Sequence, residues 1–169
     1  LKKFDGIIVP GGFGSRGVEG KIKVINFVRK NNIPFLGLCY GLQLAVVEFA
    51  RNVCKMKDAH TTEIDPKTSF PVICTMEEQL TNIASGNMGG SMRLGGFICE
   101  LKKGSLARRL YATSLISERH RHRYEVNSRY LPDIEKSGLI ISGIHPNKNL
   151  VEIIELPIRS TQGKPKHKF

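Results

Sequence analysis

The first fifty residues alternate short apolar runs with segments of helical periodicity, and this order limits the folds open to the chain. The runs at 5–9 and 33–38 have strand length and are bounded by proline and glycine. Apolar residues recur at helical spacing over 18–31, and 42–53 is strongly apolar. The order strand–helix–strand–helix is the unit of a parallel α/β sheet. We therefore expect one three-layer α/β domain with a mostly parallel central sheet and helices on both faces.

The second half of the chain is less regular but contains further runs of strand length. Strands are predicted at 71–75, 96–101, 124–126, 138–144 and 150–156. Short helices are predicted at 105–112 and 131–137. Residues 158–169 lack an apolar period and contain four basic residues and no acid, so we expect a basic C-terminal loop or arm there.

The charge balance raises a nucleic-acid hypothesis that the motifs do not support. The 169 residues are 40% hydrophobic and carry 26 Lys and Arg against 15 Asp and Glu, for a net charge of +11. The sequence lacks the aromatic stacking platform or recognition helix of nucleic-acid-binding modules. Its apolar runs, such as 7–9 and 139–141, are too short to cross a bilayer. We expect neither nucleic acid nor a membrane as a partner.

The cysteines indicate the redox compartment. There are four, with no CxxC pair: Cys39, Cys54, Cys74 and Cys99. A chain of this length needs no disulfide framework, and no charged-then-apolar leader opens it. We therefore expect a reduced, cytoplasmic protein.

A glycine-rich loop follows the first predicted strand. Gly12-Phe-Gly14-Ser-Arg-Gly17 matches the GxGxxG pattern of dinucleotide-binding loops. Such loops require an acidic residue at the end of the next strand, and that strand ends in Gly37-Leu-Cys39. Two interpretations remain, a glycine turn without a ligand and a loop whose backbone amides stabilise an oxyanion.

A second glycine-flanked turn surrounds one cysteine. In Gly37-Leu-Cys39-Tyr-Gly41 a strand, a possible nucleophile, a sharp turn and a helix follow one another, which is the order of a nucleophile elbow. We expect the start of the helix to lower the pKa of the Cys39 thiol. For Cys54, Cys74 and Cys99 we favour the alternative of a small buried hydrophobic residue.

Together, Pro10-Gly-Gly-Phe-Gly14 and Gly37-Leu-Cys-Tyr-Gly-Leu-Gln43 resemble the class I glutamine amidotransferases, whose fold is flavodoxin-like. More narrowly, six further blocks resemble the glutaminase domains of the CTP synthase family. They are Arg16-Gly-Val-Glu-Gly20, Glu48-Phe-Ala-Arg-Asn-Val53, Thr62-Glu63, Gly89-Gly-Ser-Met-Arg-Leu-Gly95, Glu118-Arg-His-Arg-His-Arg-Tyr-Glu-Val-Asn127 and Leu150-Val-Glu-Ile-Ile-Glu155. The blocks occur in family order, and the glycine–methionine and arginine–histidine blocks are not general amidotransferase features.

The resemblance implies a role for each matched residue. Cys39 would attack the side-chain amide of glutamine to form a glutamyl thioester and release ammonia. Gly11 or Gly12 would supply one oxyanion amide and the Tyr40 backbone the other, which would leave the Tyr40 side chain free to vary. The implied substrate-binding residues are Gly12, Phe13, Tyr40, Gly41, Leu42, Gln43, Glu63 and Arg123.

Two of these residues match the charges of free glutamine. A glutamate at Glu63 suits the α-ammonium group, and an arginine at Arg123 suits the α-carboxylate. The alternative is that both are ordinary surface charges.

The arginine–histidine block is predicted to be a strand with two different faces. Arg119, Arg121 and Arg123 would share one face, and His120 and His122 the other. The histidines could be a triad base or part of a solvated strand edge; the resemblance makes them structural. No Cys or carboxylate cluster at a suitable spacing accompanies them, so we expect no metal site. Arg16 and Arg93, on the two glycine-rich loops, are our candidates for an effector site or domain interface.

The chain departs from the family where the base should be. In the family a His-Pro-Glu segment follows the strand that matches 150–155, but here Pro157 is followed directly by Ile158. His145-Pro-Asn147 precedes that strand and lacks the glutamate. A deletion would leave an inactive domain; alternatively, a segment has been left out of the sequence, which we favour because everything else is intact. We assign 1–157 to an amidotransferase domain that lacks N-terminal strands and this segment, and 158–169 to the basic segment.

The resemblance also implies the larger reaction. Glutamine would be hydrolysed here without a cofactor, and the ammonia would pass to a synthetase domain that uses ATP and Mg²⁺ to convert UTP to CTP. GTP would be an effector, and the full enzyme a homo-oligomer. The alternatives are a catalytically inactive amidotransferase-like binding domain and an amidotransferase for another acceptor.

Overall fold

The structure is a computed structural model that describes residue 1 and residues 3–76, 92–159 and 165–167. In order, its elements are β1 (Ile7–Val9), α1 (Val18–Lys30), β2 (Phe35–Gly37), α2 (Tyr40–Asn52), β3 (Ala59–Thr61), β4 (Phe70–Thr75), β5 (Arg93–Leu101), α3 (Leu106–Tyr111), β6 (Leu115–His122), β7 (Tyr124–Val126), a 3₁₀ turn (Ser128–Tyr130), α4 (Leu131–Lys136), β8 (Ile140–Ile144), β9 (Val151–Glu155), β10 (Pro157–Arg159) and β11 (Pro165–His167).

The strands form separate small sheets. β1 and β2 are parallel, and so are β3 and β4, while β7 joins β4 in the antiparallel direction. β6, β5, β8 and β9 form an antiparallel sheet in that order. The expected mostly parallel central sheet is therefore wrong for the described strands. The short loop between β8 and β9 is the physical reason at that pair, because parallel neighbours need a crossover of about a dozen residues or more.

The C-terminal segment also differs from expectation. β10 and β11 pair in the antiparallel direction, with Ile158 opposite Lys166. The backbone is therefore a strand pair rather than the predicted loop or arm. Residues 160–164 lie outside the described part of the chain, as do Gly89, Gly90 and Ser91 of the glycine–methionine block.

The core is built around α2. Ten of its thirteen residues are buried, and the face of α1 that packs towards it carries residues at helical spacing: Val18, Ile22, Ile25 and Val28. Aliphatic side chains of β3, β4, β8 and β9 complete this cluster. None of the helices in the described ranges is long and apolar enough to cross a membrane.

A buried carboxylate fixes α1 against α2. Glu48 on α2 is fully buried, and both its oxygens accept hydrogen bonds of 2.8 Å from Arg29 on α1. Asn26 and Asn52 donate to the same carboxylate at 2.7 and 3.0 Å. A buried charge persists only when it is paired and hydrogen-bonded in this way. The two helices that follow the glycine loop and the elbow are thus held together by charge as well as by packing.

Candidate active site

The turn between β2 and α2 holds Cys39 in a backbone conformation that side chains rarely adopt. Its φ is 53° and its ψ is −103°, and the residue is exposed at the end of β2. Strained backbone of this kind persists only where the surrounding structure enforces it, and it clusters at functional sites. The expected elbow is therefore present.

Two glycines make this turn possible. A Cβ placed on Gly37 would lie 2.7 Å from the carbonyl carbon of Gly41. A Cβ on Gly41 would collide with the carbonyl oxygen of Val9 on β1. Because both positions are glycine, β1, β2 and the start of α2 can approach this closely. Cys39 then lies at the edge of the sheet.

The glycine-rich loop lies beside Cys39. A Cβ on Gly11 would be 3.6 Å from the Cys39 Cβ, and one on Gly12 would be 3.6 Å from the Tyr40 ring. Phe13 projects outward and is 87% exposed. The structure thus brings the loop and the elbow together, as an oxyanion site requires.

The Tyr40 side chain has specific contacts, contrary to the expectation that it is free to vary. It is 1% exposed, and its hydroxyl donates a 2.8 Å hydrogen bond to the carbonyl oxygen of Gly14. The N–H of Gly14 donates a 2.8 Å bond to Glu63 Oε1. The Lys21 ammonium lies 5.2 Å from the centroid of the Tyr40 ring. Gly14 is therefore held through both of its backbone polar groups, which belong to the two peptide units that flank it.

The start of α2 borders a cavity of about 500 Å³, whose lining includes Cys39, Leu42 and Gln43. Gln43 is 6% exposed and donates a 2.9 Å bond from Nε2 to the carbonyl oxygen of Tyr124 on β7. Gly41 is buried and Leu42 half-buried. The cavity therefore lies between the elbow and the segment around the β6–β7 junction.

The two charged candidates, Glu63 and Arg123, both affect the pKa of Tyr124. Burial raises the pKa of the Tyr124 hydroxyl, the Glu63 carboxylate raises it further, and the Arg123 guanidinium lowers it. Glu63 also acts on Cys39. A carboxylate and a guanidinium, both on half-buried residues, thus act on Tyr124, and the carboxylate also acts on the elbow cysteine.

The surroundings of Cys39 raise rather than lower the pKa of its thiol. Partial burial of the sulfur raises the pKa of Cys39, and the Glu125 and Glu63 carboxylates raise it further. The Tyr40 backbone N–H lowers it, but this one helix-terminal amide is outweighed. The expected lowering of this pKa is therefore wrong for the chain by itself.

The histidines are engaged elsewhere. The predicted alternation holds within β6, where Arg119 and Arg121 are exposed and His120 and His122 half-buried. Arg123 does not share the exposed face as predicted, because β6 ends at His122 and Arg123 is half-buried between β6 and β7. His120 Nδ1 and His122 Nε2 are 2.8 Å apart, and burial lowers the pKa of each ring to about 4. Both rings are therefore neutral at pH 7. Within the described ranges, no histidine ring hydrogen-bonds the Cys39 sulfur.

Sequence reasoning missed a buried charge cluster behind the cavity. Arg93 is 5% exposed and lies between Glu125, at 3.1 Å, and Glu152, at 2.6 Å. His120 Nε2 lies 3.0 Å from Glu152 Oε2, without hydrogen-bond geometry. Arg93 thus lies at the start of β5, and its guanidinium contacts two buried carboxylates rather than solvent. That Arg16 and Arg93 lie near an effector site or a domain interface stays a prediction. The signal in the sequence was two glutamates within predicted strands, Glu125 and Glu152; Arg93 precedes the predicted strand at 96–101, and β5 begins earlier than expected, at Arg93 itself.

The described residues contain no group of three His, Cys, Asp or Glu side chains placed to hold a metal ion. The chemistry that this arrangement offers is that of a cysteine at an elbow beside backbone amides, with opposite charges nearby.

Sequence comparison identifies relatives of this chain. The family model "Glutamine amidotransferase class-I" matches residues 1–165. The CTP synthase of Pyrococcus horikoshii is 54% identical over 173 residues, which cover 99% of this chain and 32% of the relative. The CTP synthase of Hydrogenobaculum sp. is 56% identical over 156 residues, covering 92% and 29%. The chain thus spans about a third of the length of these curated relatives.

A solved structure has the same fold. The glutaminase domain of Trypanosoma brucei CTPS with bound acivicin superimposes with a TM-score of 0.81 at 39% identity, over 89% of this chain and 58% of that one. The residues matched by the family model, 1–165, include the glycine loop, the elbow and the strands that border the cavity. On this evidence the chain belongs to the class I glutamine amidotransferase family, and within it the similarity is to CTP synthases.

Proposed function

We propose that this chain is the glutaminase domain of a CTP synthase and that Cys39 is its nucleophile. The observation that carries the proposal is the strained Cys39 elbow, which lies beside Gly11 and lines the cavity. Of the four cysteines, Cys39 is the exposed one; Cys99 is buried, and Cys54 and Cys74 are half-buried.

The proposed reaction proceeds in two stages. The Cys39 sulfur bonds to the side-chain amide carbon of glutamine, and negative charge develops on the amide oxygen. The backbone amides of Gly11 or Gly12 and of Tyr40 stabilise that charge. The carbon–nitrogen bond then breaks, and the nitrogen takes up the proton that the thiol lost and leaves as ammonia. Water then hydrolyses the glutamyl thioester to glutamate and free thiol.

Recognition of glutamine is proposed for the residues around the elbow. Glu63 would bind the α-ammonium group and Arg123 the α-carboxylate, because their charges oppose those of the substrate and both affect the pKa of Tyr124. The side chain would lie along the remaining candidates: Gly12, Phe13, Tyr40, Gly41, Leu42 and Gln43.

The wider assignment rests on the named relatives. We propose residues 1–157 as the amidotransferase domain and 158–169 as a separate basic segment. Ammonia would pass to a synthetase domain that aminates UTP with ATP and Mg²⁺, with GTP as effector, in a cytoplasmic homo-oligomer. These substrates and partners would act on that other domain, and this chain would need no cofactor of its own.

A second candidate is a catalytically inactive domain that retains the amidotransferase fold. The raised pKa of Cys39 and the absence of a histidine bonded to it within the described ranges favour this alternative. Attack on an amide needs a thiolate and a base. Such a domain would still bind glutamine or a partner domain.

Glutamine hydrolysis and covalent labelling separate the two candidates. Wild type should release ammonia from glutamine, Cys39→Ala should not, and acivicin should label Cys39 alone by mass spectrometry. Cys74→Ala is the matched control and should behave like wild type. Labelling at Cys54, Cys74 or Cys99 would refute the assignment of the nucleophile. If wild type released no more ammonia from glutamine than Cys39→Ala, the result would support the inactive domain.

A further inference from the structure

Gly14 is held by two side chains from different parts of the fold, one through its carbonyl oxygen and one through its N–H. The Tyr40 hydroxyl, at the start of α2, donates to the Gly14 carbonyl oxygen at 2.8 Å. The Glu63 carboxylate, just after β3, accepts from the Gly14 N–H at 2.8 Å. Gly14 has a φ of 75°, so the residue that both side chains contact is in the left-handed backbone conformation that favours glycine.

Both holding groups are themselves fixed. The Tyr40 ring is 1% exposed and packs beside Gly12, while Lys21 lies over its face. The Glu63 N–H donates a 3.2 Å bond to the Thr61 hydroxyl, and Thr61 is fully buried. Burial and the Glu63 carboxylate raise the pKa of Tyr40 to about 12, so its hydroxyl remains a donor at neutral pH.

We propose that Tyr40 is a positioning residue whose side chain, together with Glu63, sets the place of Gly11 and Gly12 against Cys39. The inference rests on the proposed function, because the loop matters only if its amides meet an oxyanion. The Tyr40 side chain would then position the loop, while its backbone N–H would stabilise the oxyanion. Glu63 would also have two uses, the loop amide in the resting site and the ammonium group of glutamine.

The hydrogen bonds of Gly14 to Glu63 and to Tyr40 should respond differently when glutamine binds. The ammonium group of the substrate competes with the Gly14 N–H for the Glu63 carboxylate. The Tyr40 bond ends on a backbone oxygen of the loop and does not involve a substrate charge. Loss of the Tyr40 hydroxyl should therefore affect the chemical step more than glutamine binding.

Hydrogen exchange tests the structural half of the proposal without requiring activity. In Tyr40→Phe the ring remains and only the hydroxyl is lost. Amide exchange in a peptide that covers residues 10–17 should become about three- to tenfold faster, the range expected for one lost hydrogen bond. Glu63→Ala should loosen the same peptide. Tyr130→Phe, a buried tyrosine in the core cluster, is the control and should leave this peptide unchanged.

Kinetics tests the functional half. For glutamine hydrolysis by Tyr40→Phe, kcat should fall by about three- to tenfold while KM changes by less than about twofold. A rise in KM at constant kcat would overturn the positioning role. Unchanged exchange in Tyr40→Phe and Glu63→Ala would overturn the whole inference. Faster exchange with no glutamine hydrolysis by wild type would confirm the loop contacts and refute the proposed function instead.

Discussion

Arg93 Nη1 lies 3.1 Å from Glu125 Oε1, and only 5% of either side chain is exposed. The other end of the guanidinium lies 2.6 Å from Glu152. One buried cation is therefore shared by two buried carboxylates, on strands that border the candidate site. Such a cluster contributes little net stability when intact but is costly to break.

Arg93→Met should destabilise the fold strongly at neutral pH. It leaves Glu125 and Glu152 buried without their cation, and breaking a buried pair costs about 3–5 kcal/mol of the free energy of unfolding. Urea unfolding measures the change. Arg109→Met, which removes the same charge from an exposed position on α3, is the control and should change stability by less than about 0.5 kcal/mol. Equal losses in the two variants would contradict the role of the cluster.

The same cluster predicts a pH dependence. Burial raises the pKa of Glu125 to about 7, against the opposing effect of Arg93. Its ordinary value is 4.5, so between these values the folded state binds more protons than the unfolded state. The stability of wild type relative to Glu125→Gln should therefore fall as pH rises from 4.5 to 7. Unfolding across that range measures the difference, and a constant difference would show that Glu125 titrates normally.

Glu125 should also influence the reactivity of Cys39. Its carboxylate is one of the groups that raise the pKa of the thiol. Glu125→Gln should lower this pKa and speed alkylation of Cys39 by iodoacetamide at pH 8 by roughly twofold. Glu118→Gln removes an exposed carboxylate from β6 and is the matched control. A rate that rises equally in both variants would indicate a change of net charge rather than a local effect.

The elbow glycines give a prediction about packing. Gly41→Ala would place a methyl group against the Val9 carbonyl, and such overpacking should cost at least about 2 kcal/mol of unfolding free energy. Gly20→Ala, at an open position within α1, should instead stabilise the chain by about 0.5–1 kcal/mol. Thermal unfolding compares the two. If Gly41→Ala were as stable as wild type, close contact between β1 and α2 would not be needed.

Local sequence signals were sufficient for the first four elements. β1, α1, β2 and α2 lie within two residues of their predicted bounds, because glycine and proline mark their ends. The antiparallel direction of β8 and β9 follows from their short loop, but the direction in which β5 pairs with β8 was not predictable in this way. That pairing joins residues far apart in sequence, Glu100 with Ile144, and the apolar pattern of a strand does not encode the direction of its partner. β3 was not predicted, because Ala59-His-Thr61 contains no run of apolar residues.

By itself, the sequence determined the family, the elbow and the identity of the proposed nucleophile, because spacing and glycine placement are properties of adjacent residues. Only the tertiary structure decided the environment of that cysteine. The carboxylates that raise its pKa, Glu63 and Glu125, come from distant segments. The same is true of the Tyr40 and Glu63 contacts to Gly14 and of the burial of Arg93. Electrostatic and hydrogen-bonding effects depend on distance in space, and folding sets those distances.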